Sequence, residues 1–152
     1  MKVYAVIDTN VLVSALLAKR PDSAPVQILD RLFSRDFIPM YNEEIVAEYN
    51  EVLRRPKFKF PEEQIAFAVE ALLEAGIDSI RVKTDDEVLD PKDVVFYEVA
   101  MSRDDSYLVT GNIKHFPAVK KVVTPNELLD ILKSLDDEEN IARFRLWRSL
   151  HL

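Results

Sequence analysis

The chain predicts a three-layer α/β/α sandwich on a parallel five-stranded sheet, on three observations. Short β-rich apolar runs alternate with longer stretches of helical period, the pattern of strands joined by helical crossovers. Helix-start signals recur between them, at Asn42, Pro61, Asp90-Pro91 and Thr124-Pro125. No repeat or linker interrupts residues 1–135, which read as one domain. Residues 136–152 read as an acidic hinge and a C-terminal amphipathic helix.

"KVYAVI" (2–7) has the look of a buried strand. A helix follows from Val11 to Lys19, and Pro21 interrupts it. "APVQILDRLFSRD" is a second helix, with Val26, Leu29, Leu32 and Phe33 on one face. "FIPMY" (37–41) is a second strand candidate, weakened by its proline. Asn42 caps a helix through Arg54, and residues 61–76 form another, with Pro61 at its start and Gly76 past its end. "DSIRV" is the third strand. "DPKDVVFYEVAMSR" is a helix with Asp90 as cap. "SYLVTG" (106–111) and "KKVVT" (120–124) are the fourth and fifth strands, and "TPNELLDIL" opens with a capping box. "DDEEN" (136–140) suggests a break before the tail helix.

The chain has 152 residues, 48% of them hydrophobic and 31% charged, ordinary values for a globular domain able to bury a core. No apolar run approaches the roughly 20 residues that span a bilayer, and the start lacks the features of a signal peptide. No membrane association is therefore expected. The absence of cysteine removes disulfides and thiolate metal sites, as suits a cytoplasmic protein. With two histidines, any metal should be a hard cation held by oxygen. A net charge of −7 argues against a protein that simply coats nucleic acid.

Three carboxylates stand out. In an open α/β sheet, ligands bind beyond the carboxyl ends of the strands, near the switch in strand order. Asp8 ends the first strand there, and "TGN" (110–112) ends the fourth. Asp8 alone also reads as an ordinary N-cap. Glu48 falls on or beside the apolar stripe of Ile45, Tyr49 and Val52, either buried or reaching solvent at the stripe's edge. Asp93 shares a face with Phe96, Tyr97 and Ala100, although an acid early in a helix also suits the dipole. Converging at one sheet edge, the three would form a hard-cation site.

"VIDTNVLVSALL", "EEIVAEYNEVLRRPKF", "DPKDVVFYEVAMSRDDSYLVTGNIKHFP" and "VVTPNELLDIL" together resemble the PIN-domain nucleases, in the branch of VapC-type toxins of toxin–antitoxin systems. The resemblance covers nearly the whole chain apart from its last fifteen or so residues. It implies a parallel five-stranded sheet between helices and an Mg2+- or Mn2+-dependent endoribonuclease. Asp8, Glu48 and Asp93 take the family's acidic metal-binding and catalytic roles, with Thr9, Asn10 and Thr110 in support. The family's fourth acid falls on Asn112, whose neutral oxygen would hold a second cation less firmly. Water would attack the scissile phosphate in line. RNA as substrate, an antitoxin partner and a homodimer are further implications.

"RRPKFKF" (54–60) interleaves Arg54, Arg55, Lys57 and Lys59 with two phenylalanines, which suits a phosphate-tracking rim with a stacking surface. The same residues would also serve as a basic helix end with core phenylalanines. Lys114 and His115 are further candidate phosphate contacts, although His115 reads first as a turn residue before Phe116 and Pro117. In the tail, Ile141, Phe144 and Trp147 recur at helical spacing, fitted to fold back on the domain or to dock on a partner. Two rival functions remain. A phosphatase of the haloacid dehalogenase type needs a second aspartate where Asn10 stands. A PIN scaffold retained only for binding RNA or protein would suit Asn112, but Asp8, Glu48 and Asp93 argue against it.

Overall fold

A computed structural model describes residues 2–150. Its five strands form one all-parallel sheet in the order β3-β2-β1-β4-β5, with helices around it. β1 (Tyr4–Ile7) is central, and Ala5, Val6 and Ile7 are buried, as expected for a strand covered on both faces. The apolar run ends at Asp8, and α1 (Thr9–Leu17) starts directly after it. α2 (Ala24–Phe33) carries its proline in the first turn, where the missing N–H costs nothing, and buries Ile28, Leu29 and Leu32.

β2 (Ile38–Tyr41) is an interior strand despite Pro39. The Ile38 N–H donates to Val3 towards β1. By alternation, Pro39 turns its missing donor the other way, where β3 has not yet begun: β3 pairs only with Met40 and Tyr41. The Asn42 side chain then accepts the Ile45 N–H at 2.9 Å and caps α3 (Glu43–Leu53). α4 (Glu62–Ala75) has two glutamates in its first turn, which favours its dipole. It ends at Gly76, where the chain turns extended and no side chain fits: a Cβ there would sit 2.4 Å from the Pro39 carbonyl oxygen.

β3 is Ile77–Asp78, so the expected strand over "DSIRV" is shifted and shortened; Ile80 is exposed, with no neighbouring strand to bury it. A long connection follows and is tied down by side chains. Glu98, buried on the next helix, accepts from Arg81 Nε at 2.8 Å and from the Thr84 N–H at 3.1 Å, while the Tyr97 hydroxyl donates to Asp86 at 2.7 Å. A 3-10 turn (Pro91–Asp93), capped by Asp90, leads into α5 (Val94–Ala100), which packs on β1, β2 and β4.

β4 (Ser106–Val109) lies beside β1, and a second 3-10 turn (Ile113–His115) precedes β5 (Val122–Val123). α6 (Pro125–Leu150) begins with the expected capping box, its two bonds between Thr124 and Glu127 at 3.0 and 3.2 Å. The break expected at residues 136–140 is absent: α6 runs through them without interruption. Glutamate is a good helix former, and the Asp136 carboxylate accepts from Arg31 on α2 at 2.8 Å, which holds the helix against the body. Residues 151 and 152 of the expected tail lie outside the described residues. Among those described, no helix is long and apolar enough to cross a membrane.

Candidate active site

Strand order reverses between β1 and β4, so a crevice opens where their carboxyl ends lie side by side. Asp8 stands at that point, its N–H donating to Val109 of β4 at 2.9 Å. Its backbone carbonyl accepts the first α1 N–H, from Val11, but its side chain makes no capping bond. The carboxylate instead accepts from the Thr110 hydroxyl at 2.8 Å and from Asn10 Nδ2 at 3.2 Å. The reading of Asp8 as a side-chain N-cap therefore fails. Asn10 bridges to the β4 end through the Gly111 N–H at 3.1 Å, and Thr110 also accepts the Asn112 N–H at 3.0 Å. Behind them the buried Tyr49 hydroxyl donates to the last β1 carbonyl, Ile7.

An open cleft of about 390 Å3 lies over these residues and gathers Asp8, Glu48, Asp93 and Asn112, with Thr9 and Asn10. Glu48 comes from α3 and accepts a hydrogen bond from the Thr9 hydroxyl. Asp93 ends the 3-10 turn, where the capping is done by Asp90; its own side chain caps nothing and faces His115 Nδ1 at 3.9 Å.

The charges act on one another. Burial, at 4% exposure, lifts the Asp8 carboxyl to about 6; the Thr110 bond opposes this, and the Asp93 and Glu48 charges add to it. Asp93 is raised as well, by burial and then by Asp90 and Glu48, against a pull from His115. These are hard oxygen donors whose repulsion a divalent cation would relieve, so their chemistry fits such an ion. Their arrangement is not drawn together: among the described residues, no three His, Asp or Glu side chains form a group that could hold a metal.

The expected basic rim divides. Arg55 and His115 line the cleft, joined by Phe58 and by Lys92 and Asp90. Arg54 is taken up by Glu62 at 2.7 Å and Asn50, and Lys114 lines a separate cleft with Phe116, Pro117 and Val119. Lys57 and Lys59 are not among the cleft residues. Lys92 escaped the sequence reading, as did the Arg81–Glu98 tie behind the Asp93 turn. Lys92 had a signal, its place between two aspartates in "DPKD"; the tie had none short of the fold.

A carboxylate-lined cleft at the switch point of a parallel sheet defines a class: an α/β protein with an acidic ligand site at its strand ends. The chain belongs to the PIN-domain family, whose model matches residues 4–114, a span containing Asp8, Glu48, Asp93 and Asn112. PIN domains are generally metal-dependent nucleases. No curated protein and no solved structure matched the chain.

Proposed function

We propose that the chain is an Mg2+- or Mn2+-dependent endoribonuclease, and that it serves as the toxin of a toxin–antitoxin pair, as a homodimer bound by an antitoxin protein. The observation that carries the reading is the presence of Asp8, Glu48 and Asp93, from three separate elements, in one cleft at the switch point of the sheet. Asp8, Glu48 and Asp93 would hold the cation, and the neutral oxygen of Asn112 would add a weaker donor. When bound, a divalent ion supplies charge neutralisation at the scissile phosphate and activates water for in-line attack. Thr110 and Asn10 fix the orientation of the Asp8 carboxylate, so the ligand oxygen is preset. Glu48 would leave the Thr9 hydroxyl to join Asp8. Arg55, Lys92 and His115 line the same cleft and would meet the phosphates of a bound RNA.

The test is incubation with mixed RNAs, with and without Mn2+ or Mg2+ and with excess chelator. Cleavage should require the cation, stop with chelator, and be lost in Asp8→Asn, Glu48→Gln and Asp93→Asn while each variant stays folded by circular dichroism. RNA that is bound but not cut would mark a binding scaffold instead.

A further inference from the structure

Two of the cleft carboxylates come from separate helical segments, Glu48 from α3 and Asp93 from the turn that opens α5. A side chain outside the cleft ties those segments together. Arg81 stands in the connection between β3 and the Asp93 turn. Its Nη1 donates to both carboxylate oxygens of Glu44 on α3, at 3.0 and 2.8 Å. Its Nε and Nη2 meet Glu98 Oε1 on α5 at 2.8 and 2.6 Å. The other Glu98 oxygen accepts the Thr84 N–H at 3.1 Å, so a carboxylate only 7% exposed is engaged at both oxygens. The backbone repeats the tie: the Val82 N–H donates to the Glu98 carbonyl at 3.0 Å. An exposed ion pair alone is worth little, but here a rigid planar fork spans two helices and is buried at one end.

Arg81, Glu44 and Glu98 do not line the cleft, yet their places in the helices bear on it. Glu44 lies four residues before Glu48, on the same face of α3, and Glu98 lies five after Asp93. The helices also meet in the core, where the rings of Tyr49 and Phe96 have centres 6.3 Å apart. Core contact and arginine together hold α3 against α5 at two points, which fixes their orientation as well as their distance. We propose that Arg81 is a positioning residue: by clamping α3 to α5 it sets the spacing of Glu48 and Asp93, and with it the cation affinity of the cleft. The proposal rests on the cation reading above and adds a residue outside the acidic set. A small divalent ion holds its oxygens at about 2.0–2.1 Å with little tolerance. Glu48 and Asp93 are turned to Thr9 and His115, so they would reach such an ion by side-chain rotation from helices that stay in place. The sign of the effect separates a clamp from a charge. The positive charge of Arg81 repels a cation, so its neutralisation would by itself tighten binding. Loss of the clamp acts in the opposite direction.

The experiment is a titration of Mn2+ with protein, read by electron paramagnetic resonance of the free ion, without RNA. Arg81→Gln should weaken binding about fivefold. Arg81→Gln/Glu98→Gln removes one charge of each sign and strands no buried carboxylate; it should weaken binding to a similar extent, and it decides the matter if Arg81→Gln does not fold. Arg31→Gln is the stability control, because it frees an arginine from two carboxylates, Asp36 and Asp136, that lie outside the cleft. It should bind Mn2+ like the wild type. Tighter binding by Arg81→Gln, wild-type affinity in the double variant, or an equal loss in Arg31→Gln would each overturn the clamp and leave the cation reading standing. A wild type that binds no Mn2+ would overturn the cation reading, and the role of the clamp with it.

Discussion

Asp8 carries an electrostatic cost that the rest of the fold has to absorb. Its folded carboxyl titrates near 6 against 3.8 for the free group, chiefly through burial. The sign follows from proton uptake: between pH 3.8 and about 6 the folded state binds more protons than the unfolded chain, so stability falls as pH rises through that window. Above it, the penalty is of the order of 1–3 kcal/mol. In chelator at pH 7, Asp8→Asn should therefore raise the melting temperature by several degrees, about 2–4 °C per kcal/mol, and the gain should vanish near pH 4. A stabilisation that does not change with pH would mean that charge burial is not its source. The place of Asp8 in the cleft was legible from its position at the end of the first apolar run. Its release from capping was not, because that depends on Thr110, 102 residues away.

At the scale of elements, caps and helix starts were the most readable features, because each is decided by neighbours in sequence. Asn42, Asp90 and the Thr124–Glu127 box all do what their local chemistry dictates. What depended on distant partners was less readable: the interior place of Pro39, the two-residue β3, and the unbroken α6 fastened by Arg31. The last turns of α6 leave Ile141, Phe144, Leu146, Trp147 and Leu150 between 51% and 75% exposed. Acidic Asp137 and Glu138 precede basic Arg143, Arg145 and Arg148, so two such helices lying antiparallel would match acid to base in a two-fold arrangement. Deleting residues 137–152 should thus turn a dimer into a monomer by light scattering and leave the carboxylate cleft intact. An unchanged dimer would remove α6 as the interface, and a full-length protein that is monomeric throughout would remove the dimer.

In the whole molecule, one topological fact assembles the site. The order β3-β2-β1-β4-β5 sets the ends of β1 and β4 together, which joins Asp8 to Thr110; α3 then delivers Glu48, and the turn before α5 delivers Asp93. The alternation of strands and helices made the sheet legible, and the family match over residues 4–114 agrees with the motifs that fall within it, though not with "VVTPNELLDIL", which lies beyond it. The side-chain arrangement was not legible from spacing, and it differs from a closed ligand shell: Glu48 is turned to Thr9 and Asp93 to His115. Under the proposed function a cation would draw the set together, and that can be measured without RNA. Electron paramagnetic resonance of free Mn2+ titrated with protein reads the binding directly. Wild-type protein should remove Mn2+ from the free signal, and Asp8→Asn should weaken that binding by about tenfold or more. Equal binding by the two proteins, or none by the wild type, would contradict a cation site built on Asp8.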